Sequence, residues 1–546
     1  MKPIVWLCAL IAGLLSGCGD TADHPAAGSA IEQYAASTTD DAAVSIEGAS
    51  YSVEECLAPP EPPIATAAPD FHTEAYDSIA ENRFQSPLDE PLSTFSIDVD
   101  TASYANVRRI LHEGQLPPTG AVRIEELINY FSYDYPQPDD GRPFSVNIEA
   151  ARCPWQPQHL LAKIGLKGIE IDASERPDAN LVFLLDVSGS MNAPNKLPLV
   201  KSAMRMLVEQ LRPADRVAIV VYAGASGLVL PSTRVGDGLN VLNSLERLSA
   251  GGSTNGGDGI QLAYNVAASN LIRGGINRVI LCSDGDFNVG ITSRSKLVDL
   301  IQTEAKRDVS LSIFGFGTGN LKDATMEELS NKGNSTYGYI DSLNEARKVF
   351  VDEQLGTLVT IAKDVKIQVD FNPQHVQAYR LIGYENRVME AQDFRDDRKD
   401  AGEIGSGHTI TALYEIVPHG VTSPVLAVEP SKYQAVKIEL GSEPAEMLTV
   451  RLRYKEPEGD EGIEFHVPAA LPAEVTTGSD DFQFAASVAM FGLLLRHSEY
   501  AGSADWQTIE RLATADEAAR LNEHRTEFLE LVRTAARLSS REVVSR

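Results

Sequence analysis

Asp186, Ser188 and Ser190 close the run Asn180-Leu-Val-Phe-Leu-Leu-Asp-Val-Ser-Gly-Ser-Met191, offering one carboxylate and two hydroxyls on a short stretch of chain. Oxygen donors of this kind suit a hard cation such as Mg2+, and the same donor set admits Mn2+ or Ca2+. Leu181 to Leu185 is a short continuous apolar run, the pattern of a strand buried on both faces. The donors therefore sit at the carboxyl end of a buried strand, which is where open α/β sheets bind ligands.

Asp186-Val-Ser-Gly-Ser190 resembles the first motif of the metal-ion-dependent adhesion site of von Willebrand factor type A domains. That family needs a threonine on a second loop and an aspartate after a later buried strand. Gly251-Gly-Ser-Thr254 precedes the helix-like Ile260 to Ala268, and Arg278-Val-Ile-Leu-Cys282 runs into Ser283-Asp284-Gly285. The resemblance assigns metal contact to Ser188, Ser190 and Thr254, and contact largely through bound water to Asp186 and Asp284. It also implies a protein partner that supplies a carboxylate to the metal. A lone Asp-x-Ser-x-Ser occurs in many loops and helix caps, whereas three pieces in order at the right structural positions are specific. Nearby, Asp258 is expected to cap its helix, while Asp286 either polarises a metal-bound water or faces solvent.

The elements that must hold these loops follow from hydrophobic pattern. Strands are expected at Arg216 to Tyr222, Val309 to Phe316 and Tyr337 to Ile340, and helices at Leu197 to Leu211, Leu239 to Leu248, Lys296 to Arg307, Ala324 to Asn331 and Leu343 to Leu355. Such alternation over residues 180–356 predicts a doubly wound parallel sheet with helices on both faces, the α/β fold that the type A resemblance also implies. On either side the pattern changes. Phe144 to Ala150, Leu160 to Ile171, Asp364 to Asp370, Thr409 to Val417, Tyr433 to Leu440 and Leu448 to Tyr454 alternate apolar and polar residues, predicting half-exposed antiparallel strands. These read as a mostly antiparallel β-sandwich, with the A domain inserted between strands from both sides of the chain. Phe482 to Leu495 is apolar but too short to span a bilayer, and it begins a C-terminal helical region that continues through Glu510 to Arg520 and Asn522 to Leu538.

The domain plan is then a signal peptide at 1–18, a tether at 19–86, a helical segment with flanking strands at 87–179, the A domain at 180–356, a β-rich domain at 357–475 and C-terminal helices at 476–546. Lys2, the apolar Ile4 to Leu15 and Leu15-Ser16-Gly17-Cys18 resemble a bacterial lipoprotein signal, which makes Cys18 the lipidated first residue of the mature chain. The expected location is the cell envelope, held to a membrane by that lipid, with the outer membrane favoured because Gly19 follows the cysteine. Residues 19–86 are rich in Ala, Ser, Thr, Pro and acidic side chains, the composition of an extended tether. Cys282 reads as a small core residue, and a bond between Cys56 and Cys153 is chemically allowed but not established by spacing. The formal net charge of -30 opposes nucleic acid as a partner.

An enzymatic reading has two footholds. Asp98-Val-Asp100 after the strand-like Ser93 to Ile97 has the spacing of a dehalogenase-type phosphatase nucleophile, but Ala102 stands where that motif wants Thr or Val, and Asp100 or Thr101 is better read as a helix cap. Hydrolysis at the metal loops would need a general base, and the three loops carry no His or Lys beside Asp186, Thr254 or Asp284 in sequence. The expectation is a non-enzymatic binding protein, with a metal-dependent hydrolase or phosphatase at the same loops or at Asp98 and Asp100 as the alternative. Domain order and the segment Ser96-Ile-Asp-Val-Asp-Thr-Ala-Ser-Tyr104 resemble the YfbK-like group of bacterial lipoproteins, which implies an architecture and a metal site but no ligand.

Overall fold

The computed structural model describes residues 74, 76–237, 240–252, 256–285, 294–305, 307–318, 323–332, 336–422, 446–472, 474–515 and 522–545. The expected signal, Cys18, Cys56, most of the tether and the strand at 433–440 lie outside them. The first elements are β1 (Leu92–Ser96), α1 (Ala102–His112), α2 (Ile124–Asn129), β2 (Phe144–Arg152) and β3 (Leu160–Gly168). Helix α1 starts where the sequence places it, but its cap differs from expectation. Thr101 makes no side-chain cap bond, and Glu126 of α2 instead accepts from the Ser103 backbone N–H at 2.7 Å. A buried helix start thus finds its acceptor on a neighbouring helix.

The central unit comprises β4 (Ala179–Asp186), α3 (Leu197–Gln210), β5 (Arg216–Tyr222), β6 (Ser226–Arg234), α4 (Asn240–Glu246), α5 (Gly256–Ser269), β7 (Ile276–Ser283), α6 (Arg294–Ala305), β8 (Ser310–Phe316), α7 (Asp323–Lys332), β9 (Tyr337–Ile340), α8 (Leu343–Arg347) and α9 (Gln354–Leu358). Its sheet runs β6-β5-β4-β7-β8-β9, with β4, β5, β7, β8 and β9 parallel. The edge strand β6 is antiparallel to β5 and had no clear signal, because its apolar residues Leu228 and Val229 are exposed and do not alternate with a buried face. The helix expected at Leu343 to Leu355 is broken. Lys348–Asp352 takes wider π-type turns, with Glu353 N–H bonded to Lys348 C=O, before α9 begins.

The remaining elements are β10 (Thr360–Phe371), β11 (Val376–Ile382), β12 (Val388–Met389), β13 (Gly402–Gly405), β14 (Thr409–Pro418), β15 (Glu446–Lys455), β16 (Ile463–Ala470), α10 (Asp480–Leu495), α11 (Trp506–Ala513) and α12 (Glu523–Ser545). One sheet runs β12-β1-β10-β15-β16, with β13 also on β10, and a second runs β11-β14-β3-β2. Apolar residues of both, such as Phe95, Ile164, Val369 and Tyr414, meet in one core. Register pairs Phe95 with Ile367 and Ile164 with Ala412, so strands from before and after residues 180–356 share both sheets. Strand β3 departs from expectation: it is buried nearly throughout rather than half exposed. Its Lys163 is covered by Glu149 at 3.1 Å and lies over the Tyr135 ring. A charged residue in an alternating strand is here shielded by an aromatic layer packed on the sheet.

That layer belongs to a helical core. Helix α10 is buried on nearly all sides and capped by Ser479, whose side chain accepts from Phe482 N–H. The aromatic run at 131–135 faces this core, with Phe131 edge-on to Phe484 and Phe528. Helix α1 connects the two cores. Its Ala102 and Ala105 pack against the central sheet beside Val182 and Tyr337, where small side chains let the helix approach, while Tyr104, Val107 and Leu111 face the helical core. Arg108 on α1 fastens this contact. It bonds Asp341 and Glu345 of the central unit, Tyr130 OH at 2.9 Å and Glu527 of α12 at 3.1 Å.

Two consequences can be measured. Replacing Arg108 by Met strands Asp341 and Glu345 without their cation in a buried setting, and breaking such a pair from one side costs about 3–5 kcal/mol. Chemical denaturation of Arg108→Met is expected to show a loss of that size. Glu403 is pushed up to about 8 by burial, against the opposing pull of Arg278 and a hydrogen bond from Thr360. Its folded value exceeds the unfolded one of about 4.3, so the folded state keeps a proton the unfolded state has released, and stability falls as pH rises between the two values. Melting curves across this range are expected to show Glu403→Gln, which cannot ionise, gaining on the wild type as pH rises.

Candidate metal centre

Strand order reverses at β4, which has β5 on one side and β7 on the other, so the carboxyl ends of β4 and β7 flank the crevice where such sheets bind ligands. Asp186 is the last residue of β4, and the parallel register sets Leu185 beside Cys282, which places Asp284 just beyond the neighbouring strand end. The chain then turns tightly. Ser188 N–H donates to Asp186 Oδ1 at 2.8 Å, and the Ser188 and Ser190 hydroxyls lie 3.0 Å apart. Asp186 and Ser188 are buried, whereas Ser190 is exposed at the rim.

A second loop is fastened to this turn. Gly251 N–H bonds Val187 C=O at 2.7 Å and Gly189 N–H bonds Gly252 C=O at 3.0 Å. Gly252 has φ +89, a conformation open to glycine, and a Cβ there would press on the Gly224 backbone at 3.3 Å. Thr254 itself lies outside the described residues, as do Asp286 and Asn288, and the structure brings together Asp186, Ser188, Ser190 and Asp284. Asp258 stands inside α5 and not at the position before it. The helix begins at Gly256 and Asp258 falls within its first turn, where a carboxylate still suits the helix dipole.

Two carboxylates buried close together repel, and each is answered by donors. Burial first, and then the nearby Asp284 charge, push Asp186 up to about 6, while hydrogen bonds from Ser188 and Tyr222 oppose the rise. Asp284 receives Lys196 Nζ on Oδ2 at 2.8 Å. This lysine contradicts the expectation that no Lys stands beside the loops. It lies ten residues after Asp186, next to Leu197 at the start of α3, and only the fold carries it to Asp284. Its aliphatic stem runs against Gly317 (φ +78), where a Cβ would come within 2.4 Å of Lys196 Cγ. A charged residue directly before an apolar helix was the available sequence signal.

The donor chemistry fits a hard divalent cation: paired hydroxyls at the rim, with buried carboxylates behind them to receive charge or orient water. Among the described residues no group of three or more His, Cys, Asp and Glu side chains could hold a metal, so any site at this rim depends on its hydroxyls. Cys282 is a core residue of β7, and its thiol is pushed upward by burial. Cys153 is a buried free thiol.

Asp98 and Asp100 are committed elsewhere. Asp98 Oδ1 accepts from Asp100 N–H at 2.9 Å, Asp100 Oδ1 accepts from Tyr337 N–H at 2.7 Å, and Arg387 pairs with both carboxylates at 3.1 Å. Burial, reinforced by Asp98, raises Asp100 well above the usual carboxylate range. The pair ties the β1–α1 turn to β9 and to the Arg387 turn, a connecting role in place of an exposed nucleophile.

Comparison with known proteins agrees with this geometry in its coarse features. Residues 180–353 match the von Willebrand factor type A domain, residues 70–163 a family described as von Willebrand factor, and residues 356–538 the family "Uncharacterized protein YfbK, C-terminal". The chain is 40% identical over 472 residues to "Uncharacterized protein YfbK" of Escherichia coli (strain K12), covering 85% of this chain and 81% of that one. A 160-residue stretch is 29% identical to inter-alpha-trypsin inhibitor heavy chain H4 of Homo sapiens, spanning 28% of this chain and 17% of that one. Among solved structures, von Willebrand factor type A from Catenulispora acidiphila aligns with a TM-score of 0.40 at 14% identity, covering 72% of this chain and 91% of that one.

Because the folded value of Asp186 is raised, the metal-free fold loses stability as pH rises from the unfolded value to the folded one, and the loss is complete at neutral pH. Asp186→Asn is therefore expected to melt higher than wild type at neutral pH without metal, by roughly 1–3 kcal/mol. In differential scanning fluorimetry Mg2+ should raise the melting temperature of wild type and leave this variant unmoved.

Proposed function

We propose, for a chain that belongs to the YfbK family of proteins bearing a von Willebrand factor type A domain, a role as a protein-binding module whose grip depends on a divalent cation. Asp186, Ser188, Ser190, Thr254 and Asp284 would hold the ion, with Mg2+ the first choice and Mn2+ or Ca2+ admitted by the same oxygens. The observation that carries this reading is the 3.0 Å approach of the Ser188 and Ser190 hydroxyls beside a loop stapled to the same turn. When bound, the cation supplies a Lewis-acidic position that a partner's carboxylate can complete. The chain's own residues do the rest. Neutral hydroxyls at the rim contact the ion without adding charge of their own, and Asp186 and Asp284 sit behind them to orient water. Cys18 as a lipidated terminus and residues 19–86 as a tether would set the folded part off a membrane of the cell envelope, where protein partners and not nucleic acid are met.

The catalytic alternative finds less support. Lys196 is a basic residue that the fold brings to the described part of the loops, and it is engaged with Asp284 as a hydrogen-bond donor, not poised as a base. Asp98 and Asp100 are occupied by Arg387.

The reading is tested by capture from envelope extract with the full chain as bait, in Mg2+ or in chelator, beside Ser188→Ala. A specific partner retained by wild type in Mg2+, and released both by chelator and by the serine substitution, is the expected result. Retention indifferent to chelator and to Ser188→Ala would contradict it.

A further inference from the structure

Lys196 has no role in the site as drawn from the sequence motif, yet it is built in. Its ammonium reaches Asp284 Oδ2 at 2.8 Å, and both side chains are almost wholly buried. The route is prepared at Gly317, the first residue beyond β8, whose lack of a Cβ admits the lysine stem and whose carbonyl is held by the Tyr339 hydroxyl. A lysine in this slot has its cation directed to one carboxylate oxygen, while the other carboxylate, Asp186, is answered among the described residues by neutral donors from Ser188, Tyr222 and Ser283.

Counting charge gives the consequence. Asp186 and Asp284 contribute two negative charges, and the serines contribute none. A divalent cation alone would bring the site to neutrality, and a neutral buried site has little electrostatic demand for an anion. With the Lys196 ammonium present the same site carries one net positive charge. In a setting of reduced dielectric that unit charge weakens cation binding and strengthens binding of an anion to the open position.

We propose that Lys196 is a specificity-determining residue of this site: a fixed cation that shares Asp284 with the metal, lowers metal affinity, and makes the loaded site select a carboxylate-bearing partner over neutral oxygen ligands. This rests on the adhesion-site reading above. Metal and anion then bind with reciprocal coupling, since each must raise the other's affinity by the same factor.

Calorimetric titration of Mg2+ into the full chain, with and without acetate as the anionic probe, separates the terms. Lys196→Gln keeps a donor for Asp284 and removes the charge, Lys196→Met removes both, and Lys196→Arg keeps the charge; thermal melting confirms which are folded. Wild type is expected to bind Mg2+ more tightly in acetate. Lys196→Gln and Lys196→Met are expected to bind Mg2+ about tenfold more tightly than wild type without acetate and to show a weaker acetate effect, with Lys196→Arg resembling wild type. Folded Gln or Met variants with unchanged Mg2+ affinity and an unchanged acetate effect would overturn the proposal while leaving the metal site standing. Failure of wild type to bind Mg2+ at all would overturn the adhesion-site reading, and this inference with it.

Discussion

Two carboxylates held side by side in a buried crevice are the constraint to which the rest of the site answers. The parallel register of β4 and β7 leaves Asp186 and Asp284 at neighbouring strand ends, away from bulk water. Like charges in such a place repel, and they persist only where donors or cations offset them. Here the donors are Ser188, Ser283 and Tyr222, and the resident cation is Lys196. The carboxyl ends of the strands are thus electrostatically incomplete, which is the condition a divalent ion would relieve.

The surrounding architecture keeps that crevice in register. The A-type unit is not a bead joined to its neighbours by linkers, because β1 and β3 precede it in sequence and pair with β10 and β14 that follow it. Its sheet is also covered in part by α1, a helix from outside the unit, with alanines toward the sheet and aromatic residues toward the helical core. Arg108 adds a buried charged tie between α1, the β9–α8 connection and α12. Deforming one of these bodies therefore disturbs the others through packed side chains.

Much of this was legible in the sequence, and the exceptions share a cause. Strands buried on both faces announce themselves as continuous apolar runs, so β4, β5 and β8 could be placed closely, and β7 was visible as the run ending at Cys282. Strands whose signal depends on what covers them were harder. Edge strand β6 was missed, and β3 carries Lys163, which looks exposed until Tyr135 and Glu149 are laid over it. The first motif could be found because its donors are local, spaced by two residues on one turn. Lys196 and Gly317 were not legible as part of the site, because a helix start and a strand end far apart in sequence meet only in space, and neither residue type is informative where it stands alone. The helix cap at Thr101 was misread for the same reason, since the acceptor that replaces it comes from Glu126.

The central claim is that one rim of this sheet gathers hydroxyls around a single ion. Crystals of the full chain grown with Mn2+, measured for anomalous scattering at the manganese edge, test it most directly. The account predicts a peak within coordination distance of the Ser188 and Ser190 hydroxyls and of Thr254. A peak at other residues, or serine hydroxyls that bond only to protein with no anomalous density between them, would contradict it.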